Sequence, residues 1–599
     1  MSNALEAASL IMVPSGYENG TLASVKPNDG TGDFTFSRGS NLSATRINEQ
    51  GYIEKGYENL LTYSNDFSQW TILNATATSG QSGYDGTNDA TEISFTAGPA
   101  RAIGKNGLVT GIVNFSVYLK AGTHNIIQFS TTNAATTYAN FNTSASNPVT
   151  GNTGGLVVDS SIEDVGNEWY RCSAVLNNSG SGGMWIWVVD SLTSGRASSV
   201  STDGTFFVQD AMLNQGLVAY PYIETTTAPV SGGILENMPR LDWASGAPSL
   251  LLEPSRTNLF AHSEYFDVFP WSFSTGAMNL VENNSIISPE GLKNATKIER
   301  TATRVYTSFY SALNATLGAT YTLSVYMKAG THDIGLLSFI LFGSSGYTAS
   351  YDLTNGATNS LEGDAISSME SVGDGWWRCV LSGFTPPDSD LSGRAQIGMS
   401  YTSAIANWSP QTGGAGLYMY YYGAQLEQDA TYPTSYIPTY GVSQTRLKDS
   451  GVASNVASLI GQTEGTIFID GASDFNENIS RAMLHIDHSL NDRIEVNLRG
   501  DFISSSFRNT LGSFFFVNTP SRGDRFKFAV SYQSGNTKFY LNGSLIDTKT
   551  QSLLFGNPLS NVKLNDGISA GSATQSELNK VLLFPTALSD SECIELTTI

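Results

Sequence analysis

A nine-residue stretch occurs twice in this chain with one conservative change, as SVYLKAGTH from Ser116 to His124 and as SVYMKAGTH from Ser324 to His332. A long-range repeat of this kind constrains the fold strongly, because each copy must belong to a unit with the same internal pairing. The copies extend well beyond the nine residues. ENLLTYSNDFSQW (Glu58 to Trp70) matches TNLFAHSEYFDVFPW (Thr257 to Trp271), and DGTNDATEI from Asp85 matches EGLKNATKI from Glu290. VGNEWYRC from Val165 matches VGDGWWRC from Val372. The closing phrases DAMLNQG…AYPYIET from Asp210 and GAQLEQD…TSYIPT from Gly423 are also related. Lys120 and Lys328 lie 208 positions apart and Cys172 and Cys379 lie 207 apart, an even offset that marks duplication of one module.

Within each copy, NFSVYLKA and YTLSVYMKA place apolar side chains on every second residue, the period of a half-buried strand. Clusters of Gly, Asn, Ser and Thr separate such runs, as turns require. Each module is therefore expected to be an all-β sandwich of jelly-roll type. The last part of the chain alternates too, in EGTIFIDG from Glu464 and RIEVNLRG from Arg493. In DRFKFAVSYQSGNTKFYLNGSLIDT from Asp524, Gly535-Asn536 and Asn542-Gly543 supply two hairpin turns. The expected division is 1–57 as an attachment or connector segment, 58–229 as module 1, 230–256 as a connector, 257–442 as module 2, and 443–599 as a third sandwich.

Composition narrows the partners. Charged residues make up 14% of the 599 and the formal net charge is -22, so a phosphate backbone would be repelled and nucleic acid is not an expected partner. Scattered Asp residues leave room for Ca²⁺, but no loop has EF-hand spacing, so no metal or other cofactor is expected. The three cysteines, Cys172, Cys379 and Cys593, form no disulfide framework, and the first two fall at equivalent repeat positions. The opening MSNALEAASLIMVPSG has no basic region before its short apolar run, and no apolar stretch is long enough to span a bilayer. A route outside the cell by assembly into a particle is expected.

Several phrases carry a resemblance. GDFTFSRGSNLSATRINEQGYIE (Gly32 to Glu54) and ENMPRLDWASGAPSLLLEPSRTNLF (Glu236 to Phe260), with the YIPT ending of module 2, resemble phrases of tailed-bacteriophage structural proteins. The part from Gly451 to Ile599, with KFYLNG and ALSDSE, resembles a laminin G or concanavalin-like sandwich whose last strand carries the ALSDSE phrase. The resemblance implies a virion fibre or spike-like protein with carbohydrate-binding-type modules, assembled in the host cytoplasm and displayed on the virion surface. Its implied partners are other virion proteins, further copies of itself in a homotrimer, and host-surface polysaccharide. The alternatives are a purely structural decoration or tail component and, less favoured, a glycan depolymerase.

No nucleophile elbow, P-loop or zincin motif occurs, so no enzyme is expected. His124 and His332 are repeat equivalents at a strand end, His485 and His488 point to opposite faces of a strand, and His262 has no visible partner. The candidate glycan contact is Tyr418, Tyr420 and Tyr422 in LYMYYYGAQ, on the face opposite Met419 and Tyr421. The competing reading of that face is a contact between domains. Trp169 with Arg171, and Trp376 with Arg378, are expected to form a framework cation–π pair in each copy.

Overall fold

The computed structural model describes residues 2–14, 16–18, 20–39, 42–107, 110–132, 136–178, 180, 182–273, 278–301, 307–341, 346–362, 366–387, 391–400, 415–473, 480–516, 525–567 and 574–599. They fold almost wholly as antiparallel β-sandwiches. Module 1 has one sheet in the order Val157–Gly166, Trp169–Asn178, Gly111–Ala121, Gly204–Gln215, Ala90–Phe95, Ala75–Gln81. Its second sheet runs Val149–Gly154, Tyr138–Asn142, Ile126–Thr131, Gly183–Val188, Ala102–Asn106, Thr71–Leu73. Module 2 repeats both orders strand for strand. Its first sheet is Ile366–Ser371, Trp376–Phe384, Tyr321–Ala329, Tyr418–Gln428, Lys293–Arg300, Met278–Ile287, and its second runs from Ala357–Glu362 to Ser272–Phe273.

The repeated nine residues are the central strand of the first sheet in each copy, with its turn. Val117 and Leu119 enter the core of module 1, as Val325 and Met327 enter that of module 2. The same register shift interrupts both copies, between Ser116 and Tyr118 and between Ser324 and Tyr326. The bulged partner strand takes positive φ there, at Asp210 (54°) and at Gly423 (60°). Bulges favour residues that tolerate the left-handed region, which explains why both closing phrases begin at these positions.

The other repeated residues fasten this frame. Asn59 Nδ2 donates to the carbonyls of Ala211 (3.2 Å) and Ile223 (2.8 Å), and Asn258 Nδ2 to those of Ala424 (3.1 Å) and Ile437 (2.9 Å). Trp70 and Trp271 donate their indole N–H groups to the carbonyls of Tyr63 and His262. The His124 ring lies 3.0 Å from the carbonyl of Val189 and the His332 ring 2.6 Å from that of Ser400, tying the end of one sheet to the other. Cys172, Cys379 and Cys593 are buried free thiols whose pKa values burial pushes up.

The expected Trp–Arg stacking is replaced by a different contact. Arg171 lies over the Tyr118 ring at 5.5 Å and Arg378 over the Tyr326 ring at 5.6 Å. The ladder pairs Tyr118 directly with Arg171, and Tyr326 with Arg378. Directly paired residues stand about 5 Å apart, whereas i and i+2 on one strand are separated by about 7 Å, so the cross-strand neighbour wins.

The third sandwich corrects the expected division. One sheet runs Tyr17–Glu18, Thr21–Leu22, Phe34–Ser37, Ser450–Ser454, Asn561–Leu564, then Arg481–Ser489 to Gly512–Phe516. The facing sheet places Arg240–Asp242 and Ser249–Leu252 beside Ser576–Phe584, which Leu10–Met12 also pairs. Strands from residues 1–57 and 230–256 thus belong to this sandwich, while Thr45–Ile47, Ile53–Asn59 and Val230–Gly233 form a three-stranded sheet of their own. Leu10, Met12, Phe34, Phe36, Leu250 and Leu252 fill one core with Ile467, Phe528 and Val581. Gly535-Asn536 and Asn542-Gly543 do form hairpin turns, the latter with φ of 50° and 78°. ALSDSE lies after the last strand and caps a helix, Asp590–Thr597, where Ser589 and Glu592 form a capping box.

Candidate functional site

The tyrosine face of module 2 is mostly an internal contact. Met419 and Tyr421 enter the core, as the alternation requires, and Tyr418, Tyr420 and Tyr422 face away from it. Tyr422 is completely buried beneath the strand Ile53–Asn59, which arrives from the N-terminal segment. Its hydroxyl donates to Glu290 Oε2 (2.9 Å), and Lys55 Nζ donates to it at 3.3 Å. A side chain with no accessible surface offers no platform to a sugar, so Tyr422 is removed from the expected glycan set. Tyr418 and Tyr420 are half-buried, packed edge to face at 5.5 Å, with the Lys297 ammonium 3.9 Å above the Tyr418 ring.

The centre over Tyr422 is ionic. Lys55 Nζ lies 2.8 Å from both Glu264 Oε1 and Glu290 Oε2, and all three side chains are almost wholly out of solvent. Tyr436 donates to Glu264 (2.9 Å), Tyr220 to Glu290 (2.6 Å), and Asn294 to Glu290 (2.7 Å). Burial raises the Glu264 pKa above its ordinary value, against the lowering effect of Lys55. For Lys55, burial lowers the pKa, but Glu264 and Glu290 outweigh it and hold the value well above the ordinary one. The carboxylates are thus charge partners of a lysine, sealed from any substrate.

A second ionic cluster joins distant segments of the chain. Arg38 bonds Asp449 (3.0 Å), Arg240 bonds Asp449 and Glu253 (2.7 Å to the latter), and Arg446 lies 3.1 Å from Glu253, all fully buried. Burial alone would raise the Glu253 pKa, but Arg446 and Arg240 hold it down to about 2. Arg38 lies in the FSR stretch, Arg240 in PRLD, Glu253 in LLLEP, and Arg446 and Asp449 in TRLKD, so the cluster clamps four distant segments together.

Beside this clamped junction lies an open polar cleft of about 280 Å³, between the outer face of module 1's first sheet and the strand Met278–Ile287 of module 2. That size is close to the lower end, about 300 Å³, of small-molecule sites. Asn114, Ser173 and Arg171 project from neighbouring strands, since they alternate with the core residues Val113, Cys172 and Ala174. Asp159 and Glu163 stand on the outermost strand of the sheet. Asn284 crosses from module 2 at a strand irregularity, in the left-handed region with φ 49°, and donates to Asp159 Oδ2 (2.7 Å) and to the Leu217 carbonyl (3.0 Å). Asn tolerates that backbone better than most residues. Asn114 Oδ1, Asn284 Oδ1 and Arg171 Nε are buried without a hydrogen-bond partner.

Sequence reasoning singled out Arg171 as a framework residue and none of the other cleft residues. Its one available signal was the exchange of Asn114 for Thr322 and of Ser173 for Val380 between otherwise equivalent outer-face positions. His485 is buried and His488 exposed, on opposite faces. Among the described residues no helix is long and apolar enough to cross a membrane.

No protein-family model matches the chain, and no curated protein matches it. Among solved structures, the carbohydrate-binding module CBM40 of a Ruminococcus gnavus IT-sialidase, bound to alpha2,3 sialyllactose, aligns at 20% identity over 24% of this chain and 86% of that one, with a TM-score of 0.21. A leech intramolecular trans-sialidase aligns at 18% identity over 23% of this chain and 24% of its own, with a TM-score of 0.21. The binding domain of botulinum neurotoxin DC, in complex with rat synaptotagmin II, aligns at 14% identity over 25% and 39%, with a TM-score of 0.21. Likeness at this level assigns neither a family nor a ligand.

Proposed function

We propose that this chain is a bacteriophage virion protein, a fibre or spike-like component that binds host-surface glycans and carries out no catalysis. The observation that carries the binding role is the open cleft of about 280 Å³, at whose rim Ser161, Glu163 and Lys293 are exposed. Exposed hydroxyl and charged groups around a cleft bond the hydroxyls of a sugar. The resemblance of the FSR, PRLD and YIPT phrases supports the virion assignment, as does a surface low in charge and rich in Ser, Thr and Asn. In this reading the protein is assembled in the host cytoplasm and works at the virion surface with other virion proteins. It forms trimers, which add avidity to weak single contacts. The C-terminal sandwich takes the laminin G-like role.

A second reading, a structural virion part that binds no receptor, is favoured by the burial of Tyr422 in an internal contact. The two are separated by binding of the intact protein to cells of a host that the phage infects, with and without periodate oxidation. Saturable binding that periodate abolishes is expected. Absence of binding by the folded oligomer would leave the structural role.

A further inference from the structure

We infer that Lys55 and Glu264 join covalently: the Lys55 amine condenses with the Glu264 carboxyl to form an amide, water leaves, and Glu290 carries the proton. This is a modification of the chain by itself and does not depend on what the protein attaches to.

The fold brings the reacting groups together. Lys55 Nζ lies 2.8 Å from Glu264 Oε1 and 2.8 Å from Glu290 Oε2, so the Glu264 carboxyl carbon stands one bond beyond a contact already made. The Lys55 and Glu264 side chains are 0% and 2% exposed. Rings of Tyr220, Tyr422 and Tyr440 stand 5.7, 5.8 and 5.7 Å from Nζ and help wall it from water. Fixing two reactants at contact replaces a bimolecular encounter, and exclusion of water withholds the nucleophile that would reverse the bond.

The two carboxyls are held differently. Glu290 accepts from Tyr220 through one oxygen (2.6 Å), and from Lys55, Tyr422 (2.9 Å) and Asn294 (2.7 Å) through the other. Glu264 Oε1 accepts from Lys55 and from the Tyr436 hydroxyl (2.9 Å), whereas Oε2 is buried with no hydrogen-bond partner. Amide formation keeps one oxygen and expels the other. Oε1, bonded by Tyr436, is the oxygen kept, and Oε2 is the one free to leave.

Protons balance within the trio. One ammonium facing two carboxylates leaves a net negative charge, which burial opposes, and a proton on Glu264 removes it. Moving one ammonium proton to Glu290 then leaves three uncharged groups, with a free amine beside an electrophilic carboxyl. The nitrogen lone pair attacks the Glu264 carboxyl carbon, and the C=O electron pair moves onto Oε1 beside the Tyr436 hydroxyl. Glu290 gives its proton to the Oε2 hydroxyl, which leaves as water with the C–O bonding pair. The C=O bond re-forms from Oε1, and Glu290 takes the surplus proton from nitrogen. The products are a neutral amide, one water and a neutral Glu290 carboxyl.

Only the second module is equipped for this. The positions of module 1 that match Glu264 and Glu290 hold Asn65, which bonds Asp89 (3.0 Å), and Asp85, which bonds Thr87 (2.7 Å). The new bond links residues 209 apart, and module 1, 58–229, lies wholly inside the loop it closes. Closing so long a loop constrains the unfolded chain, and load passing from the N-terminal strands to module 2 bypasses module 1.

The test is the mass of the purified, folded chain, read after denaturation and followed by tryptic mapping. The chain is expected to be lighter than its sequence by one water. Trypsin does not cut at an acylated lysine, so a branched peptide joining 47–101 to 257–293 is expected, with fragmentation placing the link at Glu264. Glu290→Gln keeps the side-chain shape but cannot carry the proton, and is expected to retain the full mass while hydrogen exchange shows it folded. A folded wild-type chain at its full sequence mass would overturn the proposal, whether or not the variant folds. A water loss mapped elsewhere, or a link to Glu290, would overturn it equally. Condensation as complete in Glu290→Gln as in the wild type would overturn the role of Glu290.

Discussion

Modules 1 and 2 share a frame but use their outer faces differently. Tyr118 and Tyr326 occupy the same place, yet the residue paired across from them is Gln209 in module 1 and Tyr422 in module 2. Both anchor the same overlying phrase. Gln209 Nε2 donates to Asp85 (3.2 Å) and Asp89 (2.7 Å), and Tyr422 donates to Glu290, the counterpart of Asp85. In module 2 that anchor lies under Lys55 and a neighbouring strand, whereas in module 1 the corresponding loop faces solvent. Duplication has kept the latch and freed the outer faces to diverge: one became a clamped junction, and another retained an open cleft.

The largest expected effect breaks this contrast at its anchors. Lys55→Ala leaves two buried carboxylates uncompensated and is expected to cost about 3–5 kcal/mol. Gln209→Ala removes the bonds of a buried amide to the carboxylates of Asp85 and Asp89 and is expected to cost less, about 1.5–3 kcal/mol. Chemical denaturation of both variants checks the ratio, and equal losses would show that the Lys55 centre is no clamp.

The latch arginines should behave alike. Arg171→Ala and Arg378→Ala each remove a donor to a closing-phrase carbonyl and a contact over a tyrosine ring, worth about 1–3 kcal/mol together. Hydrogen exchange in the strands Gly111–Ala121 and Tyr321–Ala329 reads each module separately. A marked loss in only one would contradict a shared frame.

The two modules should respond to pH in opposite directions. Burial raises the Asp210 pKa to about 7 from 3.8, so the folded chain binds the extra proton. The stability that this group contributes is present at acid pH and is lost as pH rises through 7. Its counterpart in module 2 is Gly423, so Asp210→Gly should stabilise module 1 more at pH 8 than at pH 5. Beside module 2, burial pushes His262 down to about 4 from 6.5, so the unfolded chain binds the extra proton and stability falls as pH drops from 6.5 towards 4. Exchange protection measured at pH 8 and pH 5 tests both signs.

The smallest effect belongs to Tyr418→Ala. Half-buried at a strand start and in contact with Tyr420 and Lys297, it is expected to lose about 0.5–1 kcal/mol of stability. A loss of cell attachment in this variant would return the tyrosine face to the binding role.

Much of the frame was legible in the sequence because its signals are local. Alternation placed Met419 and Tyr421 inward, and Asn542-Gly543 announced its turn. What depended on distant pairing was not. Nothing near Leu10 or Phe34 says that these strands complete a sandwich begun beyond residue 450, because edge strands carry no address for their partner. Likewise Lys55, Glu264 and Glu290 meet from separate phrases, and the cleft is lined by residues of both modules, Asn284, Leu292 and Lys293 among them. The Trp–Arg pairing failed for a related reason: sequence distance along a strand was set against a ladder partner that only the register reveals.

The most direct test of the account is binding of the intact chain to host cells before and after periodate oxidation. The account predicts saturable binding that periodate abolishes. Binding unchanged by periodate, or none by the folded protein, would contradict it.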